Sequence, residues 1–217
     1  MGVPQRASCA TGVYVPEFSQ ALAVSGRRTT SGKAVLLGEP RVAVYFPNLF
    51  YEWHVKGESF DVRGVGIAGS PNVLIGSNQY VAWSPTALGL DQADLFKLEV
   101  DPATQPGRYR LDGRWLPYDV DQDEQILVKG RATVVENYRE TVWGPVVRAP
   151  VINDVHAGEV YAVKAVPLAN PERDALPGFM TMYRATTLTD FARALDGWTW
   201  PSANVVFAAS NGDVGYV

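Results

Sequence analysis

From residue 19 onward, short apolar runs alternate with turn residues, a pattern that predicts strands. The first group covers residues 21–25, 34–37, 51–56, 60–67, 72–75, 80–83 and 94–100. The last run alternates cleanly, with Leu95, Lys97 and Glu99 on one face and Phe96, Leu98 and Val100 on the other. A second group covers 108–111, 114–118, 125–128, 132–138, 142–147 and 159–166. Asp112-Gly113 is a strong hairpin signal and Lys129-Gly130 a weaker one. Residues of about 101–150 therefore read as a small β excursion packed on the main sheet. Helical spacing enters late, with Leu188, Phe191, Ala192 and Leu195 at i, i+3, i+4 and i+7. Thr187 ahead of Asp190 resembles a capping box with Asp in place of Glu, and Gly197 is a C-terminal stop. Residues 203–209 read as a buried strand, and Asn211-Gly212 turns it into 214–217. The chain ends on that apolar run, which predicts a domain continuing beyond Val217. Before residue 19, Gly2, Pro4, Gly12 and Pro16 break any period, so 1–18 reads as a leader or linker.

Composition narrows the classes of function. A chain of 217 residues can bury a core as one large or two small domains. A net charge of −4 supplies neither a nucleic-acid footprint nor a polybasic membrane patch. The densest basic run, Arg27-Arg28 with Lys33, reads as a solvated hairpin tip. No apolar run approaches the ~20 residues of a membrane span, and the N-terminus lacks the apolar centre of a signal peptide. Cys9 is the single cysteine, so no internal disulfide forms and the compartment stays open.

Most familiar chemistries find no support in the residues. His54 reads as a strand histidine and His156, after Asp154, as a surface one. No Gly-x-Ser-x-Gly marks a triad serine, no His/Cys cluster suits zinc, and no glycine loop cradles phosphate. Asp121, Asp123 and Glu124 read as a solvated turn. Six tryptophans and ten tyrosines would suit a carbohydrate-binding β-sandwich, which leaves the context of Ser19 unexplained. Ser19 heads the first strand, and a serine opening a chain can attack a carbonyl using its own α-amine as base. Eighteen residues precede it here, so the amine must first be released.

The run from Ser19 resembles the start of the β-chain of the penicillin amidase family of N-terminal-nucleophile (Ntn) hydrolases. The likeness is carried by Ser25-Gly26, Arg28-Thr29, Ser31-Gly32-Lys33, Pro40 and Phe46-Pro47-Asn48. It continues through Tyr51-Glu52-Trp53-His54, Phe60-Asp61-Val62-Arg63-Gly64, Gly76 with Asn78, Ala82-Trp83, Thr86-Ala87 and Asp94-Leu95-Phe96. It returns at Asn204 and in the run from Asn211 to Val217. Order and spacing together, over essentially all of 19–217, carry the specificity.

The resemblance implies an α+β fold, part of an Ntn-hydrolase αββα sandwich with stacked antiparallel sheets and few helices. It implies an amidohydrolase that cleaves an N-acyl substrate of the penicillin, cephalosporin or acyl-homoserine-lactone type through an acyl-enzyme. Ser19 matches the nucleophile, the Ala87 amide one oxyanion donor and Asn204 the other. Val42, Leu74 and Ile75 match the acyl pocket, and Asp91, Ala93 and Asp94 match ligands of a structural calcium ion. The chemistry itself needs no cofactor. Further implications are self-cleavage before Ser19, a separate α-chain or a missing remainder of the β-chain as partner, and a periplasmic or secreted location. Three departures stand out: Phe18 where the family usually has Gly, Gln20-Ala21-Leu22 after the serine, and Arg41 where His or Gln is frequent. They favour the alternative of an inactive or truncated homologue serving as a β-rich binding or assembly module.

Overall fold

The computed structural model describes residues 19–42, 46–70, 72–148, 159–169, 176–198 and 201–217. Cys9, Phe18, Asp154 and His156 lie outside the described residues. In chain order the first strands are β1 (Gln20–Val24), β2 (Val35–Glu39), β3 (Phe50–Lys56), β4 (Asp61–Ile67), β5 (Ile75–Ser77), β6 (Val81–Ala87) and β7 (Ala93–Lys97). They are followed by β8 (Arg108–Leu111), β9 (Arg114–Pro117), β10 (Val120–Ile126), β11 (Val134–Thr141), β12 (Gly144–Arg148) and β13 (Val160–Ala165). Helices α1 (Val166–Ala169), α2 (Leu176–Arg184) and α3 (Leu188–Ala194) precede β14 (Ala203–Ala209) and β15 (Val214–Tyr216).

The described residues form two compact units, one of those up to Leu90 and from Leu176 onward, the other of those from Asp91 to Ala169. The first holds a six-stranded antiparallel sheet in the order β15-β14-β6-β5-β4-β3, together with the β1–β2 hairpin. The two faces of this sheet carry different residues because side chains alternate along a strand. On one face Trp83, Val205 and Phe207 join Phe179, Met182, Tyr183 and Phe191 in a single core. Phe191 stacks obliquely on Phe207 with ring centroids 5.0 Å apart and on Trp83 at 5.4 Å, so α2 and α3 cover this face.

The hairpin covers the other face. Its outer side chains Leu22, Val35 and Leu37 are more than half exposed (58%, 53% and 55%), whereas Ser19, Ala21 and Ala23 are half-buried. Gly38 marks the contact: a Cβ at that position would lie 2.7 Å from Ser84 Cβ and 3.6 Å from Ile75 Cγ2. The turn end is tied down by Gly26 N–H donating to the Gly212 carbonyl at 2.8 Å and Ser25 Oγ to the same carbonyl at 3.1 Å. Two separate motifs of the sequence, Ser25-Gly26 and Asn211-Gly212, are thus halves of one junction. Arg27 and Arg28 are exposed on the 3-10 turn Gly26–Arg28, as a solvated tip requires.

Asn78 joins the sheet to α2. Its Nδ2 donates to the carbonyls of Tyr183 (3.0 Å) and Ala185 (2.8 Å), and its Oδ1 accepts from Tyr80 and Val81 N–H at 2.8 Å each. One side chain therefore satisfies four backbone groups. Asn78→Ala is expected to destabilise the protein by about 2–3 kcal/mol, because several half-buried partners lose their bonds together. Urea unfolding of the variant checks this.

The second unit has a five-stranded antiparallel sheet, β10-β11-β12-β13-β7, and the β8–β9 hairpin. Its core is Leu98, Tyr109, Tyr118 and Ala162, with Phe96 and Val100 packed against it as the alternation of 94–100 predicts. Asp112 (φ 49°) and Gly113 (φ 77°) make the expected tight turn between β8 and β9. The excursion expected over 101–150 belongs to this larger unit, which begins at Asp91. Asp121, Asp123 and Glu124 lie on β10 and not in a turn: Asp121 pairs with Arg139 (3.0 Å) and Asn137 (2.9 Å) on β11. Cross-strand partners keep this acidic stretch extended.

At α3 the Thr187 hydroxyl oxygen accepts from Asp190 N–H at 3.1 Å, confirming the N-cap. The Asp190 carboxylate turns back onto the cap residue, accepting from the Thr187 hydroxyl at 2.7 Å.

Candidate active site

The residues singled out as nucleophile and oxyanion donors all fall in the first unit. Ser19 sits immediately before β1 and shares the inner face of the hairpin with Ala21 and Ala23. Pro40 and Arg41 follow β2 alongside it, and Arg41 N–H donates to Ser19 Oγ at 3.4 Å, a weak contact. Asn204 occupies β14 on the face the hairpin covers, because Val205 and Phe207 take the other face. Ser19 and Asn204 therefore lie on the facing sides of two stacked layers.

Ala87 is placed by ladder arithmetic. Leu88 N–H donates to the Ser202 carbonyl at 3.2 Å, and Thr86 lies opposite Asn204 and Ala87 opposite Ala203. Hydrogen-bonded and non-hydrogen-bonded pairs alternate in an antiparallel ladder, so the Ala87 N–H points away from β14. On that side the β5 ladder has already ended at Gly76–Trp83. Pro85 occupies the same row two residues earlier, where a missing N–H costs nothing. The exposed Ala87 amide is thus left outside the sheet's own pairing.

The Arg41 charge beside Ser19 is paired: its guanidinium forks onto Glu39 at 3.1 and 3.2 Å, and the carboxylate offsets the positive field there.

The three residues matched to the acyl pocket are distributed by strand alternation. Ile75 reaches Gly38 on the hairpin side, Leu74 packs against the core, and Val42 is half-buried. Asp91, Ala93 and Asp94 lie in the second unit beside an open cavity of about 320 Å³, lined also by Lys164. Lys164 stands opposite Asp94 in the β13–β7 pairing. Two carboxylates and the Ala93 carbonyl are three of the six to eight oxygens a calcium ion takes. Among the described residues no group of three or more His, Cys, Asp or Glu could hold a metal.

His54 has a structural tie: its Nε2 lies 2.6 Å from Asp61 Oδ1, with Lys56 Nζ 3.3 Å from the other oxygen. The hydrogen bond from His54 holds the Asp61 carboxyl below the usual range. In the second unit, bonding from Asn137 does the same for Asp121. A depressed carboxyl contributes stability that is present above its unfolded pKa and lost as pH falls through the folded value. Melting temperatures are accordingly expected to hold from neutrality to about pH 4 and to fall below it. Thermal unfolding across that range checks this.

The family model for penicillin amidase matches residues 5–217. The chain belongs to the penicillin amidase family. The family match begins upstream of Ser19, so it runs through the Phe18–Ser19 bond. Within the family the chain is 34% identical over 158 residues to the acyl-homoserine lactone acylase PvdQ of Pseudomonas putida, covering 70% of this chain and 20% of that protein. It is 28% identical over 200 residues to aculeacin-A acylase of Actinoplanes utahensis, covering 91% of this chain and 25% of the relative. The chain thus spans about a fifth to a quarter of the length of these relatives. Among solved structures, a thermostable penicillin G acylase from Alcaligenes faecalis superposes with a TM-score of 0.71 at 26% identity, over 91% of this chain and 34% of that one. The fold is therefore a partial Ntn-hydrolase αββα sandwich. Among the described residues no helix is long and apolar enough to cross a membrane.

One residue that the sequence did not single out touches this constellation. Tyr216 Oη donates to Asn204 Oδ1 at 2.6 Å. The signal lay in the β14–β15 register, in which Tyr216 stands opposite Val206, two residues along from Asn204.

Proposed function

We propose that this chain carries the nucleophile and both oxyanion donors of an N-acyl amide hydrolase. The reading is supported by Ser19 at the inner side of the hairpin and Asn204 on the sheet face that the hairpin covers, with the Ala87 amide outside the ladder. Ser19 Oγ attacks the amide carbonyl, and the Ser19 α-amine accepts its proton, directly or through water. The tetrahedral oxyanion accepts from Ala87 N–H and Asn204 Nδ2, each donor being worth roughly 3–4 kcal/mol of barrier. The C–N bond then breaks, the leaving amine takes the proton from the Ser19 ammonium, and an ester remains on Oγ. Water, deprotonated by the same amine, attacks the ester and releases the carboxylic acid.

The amine exists only after the Phe18–Ser19 bond is cut. In the proposed maturation Ser19 Oγ attacks the Phe18 carbonyl, the C–N bond breaks to leave an ester, and water hydrolyses it. A bulky Phe18 favours the second reading, a chain in which this step fails and the site stays latent. For the substrate, aliphatic Val42 and Ile75 support a hydrophobic acyl group, in keeping with relatives named as acyl-homoserine lactone and aculeacin-A acylases. The remainder of the relatives' length, on the same polypeptide or a separate chain, would complete the site.

Intact mass and N-terminal sequencing of the full-length protein test the reading, followed by a serine-directed sulfonyl fluoride. The expected result is a chain beginning Ser19-Gln20-Ala21 with the probe on Ser19. Turnover by a protein whose Phe18–Ser19 bond is intact would overturn the mechanism.

A further inference from the structure

The amide of Asn204 has two unlike ends. Turned one way it offers an NH2 to a developing oxyanion; turned the other it presents a carbonyl oxygen and repels it. The backbone of β14 fixes where the side chain starts and not which end leads, since the two orientations differ only by rotation about the last side-chain bond. A second group must choose. Tyr216 Oη lies 2.6 Å from Oδ1, on the face of the sheet that Asn204 shares. Donating its hydroxyl hydrogen to that oxygen, Tyr216 commits the carbonyl end to β15 and leaves Nδ2 to point elsewhere. Its ring stands on a strand bonded to β14 in both directions, Val205 N–H to the Val217 carbonyl at 2.7 Å and Val217 N–H to the Val205 carbonyl at 3.0 Å. The hydroxyl is therefore delivered by a paired strand and not by a loop.

We propose that Tyr216 is a positioning residue that orients the Asn204 amide so that Nδ2 faces the oxyanion. This rests on the acyl-transfer reading of the site. Tyr216 touches no reacting atom; it acts through Asn204 and matters most when charge develops on the carbonyl oxygen. Asp213, which accepts from Asn211 Nδ2 at 2.9 Å, belongs to the turn at the far end of the hairpin and takes no part.

The test compares Tyr216→Phe, Asn204→Ala and the double variant in the full-length protein, with a chromogenic N-acyl anilide as substrate. Removing an oxyanion donor costs about 100-fold or more in kcat, so Asn204→Ala is expected to fall in that range. Tyr216→Phe keeps the ring and is expected to lower kcat about tenfold with KM within about twofold, and to weaken an alkylboronic acid, which forms a tetrahedral adduct, by a similar factor. In the Asn204→Ala background the same change is expected to do nothing further. An equal loss in both backgrounds would mean a merely structural role and overturn the proposal. So would an unchanged Tyr216→Phe beside a slow Asn204→Ala. If Asn204→Ala is itself unimpaired while Ser19→Ala is inactive, the oxyanion assignment fails, which separates the two outcomes. Melting curves of Tyr216→Phe show whether the strand stays paired.

Discussion

Ser19→Ala is expected to leave the Phe18–Ser19 bond uncut and to reduce amide hydrolysis to the background rate. Both losses follow from one atom. The Oγ that would attack the substrate is the Oγ that would attack the Phe18 carbonyl, so its removal blocks the reaction and the release of the base it needs. Ser19→Cys separates the two roles, because a thiol is nucleophilic enough to carry out the cleavage and yet forms a thioester in place of an ester. The expected pattern is full-length mass for Ser19→Ala and a mass lower by residues 1–18 for Ser19→Cys, with hydrolysis reduced by a factor of about 1,000 or more in the alanine variant. Mass spectrometry and single-turnover kinetics read the two effects independently. A cleaved alanine variant would mean that an outside protease frees the amine. A hydrolytically active one would remove Ser19 from the mechanism.

Much of the frame behind that expectation is legible in the chain. Residues 203–209 and 108–111 read as strands and are strands, because buried or alternating apolar runs between turn residues leave little else to form. The α3 start is written in Thr187. Helix α2 is not legible: Pro177 and Gly178 look like breakers. Pro is tolerated in a first helical turn, and Gly178 lies where a Cβ would meet the Gly197 backbone at about 3 Å. Its glycine is a requirement of close packing, which only the tertiary structure reveals. The site shows the same division. Ser19 and Asn204 stand out through the family resemblance, whereas the pairing of Arg41 with Glu39 and of Tyr216 with Asn204 depends on side-chain direction. For Tyr216 a register counted outward from the Asn211-Gly212 turn would have been enough to place it beside Asn204.

How firmly Ser19 is held against that sheet comes down to Gly38. Gly38→Ala is expected to lower stability by about 1–3 kcal/mol and acyl transfer by about 100-fold. The new Cβ would lie 2.7 Å from Ser84 Cβ and closer still to its hydroxyl oxygen. Ser84 is 1% exposed on a central strand paired on both sides, so it has no room to withdraw. The hairpin, paired only within itself, is the part that must lift, and Ser19 rides on it. An ångström of displacement is enough to misalign an attack on a carbonyl held by donors on another layer. Ser84→Ala cannot repair the clash, because the Cβ that limits the approach remains; Ser84→Gly removes it. The double variant Gly38→Ala/Ser84→Gly is therefore expected to regain most of the activity, less about 1 kcal/mol for a glycine within a strand. Among the described residues the Ser84 hydroxyl has no hydrogen-bond partner, so its loss removes a buried unsatisfied group and partly offsets that cost. Urea unfolding and acyl-transfer rates across the four proteins measure the coupling. If Gly38→Ala is as active and as stable as the parent, the hairpin does not set the position of the nucleophile.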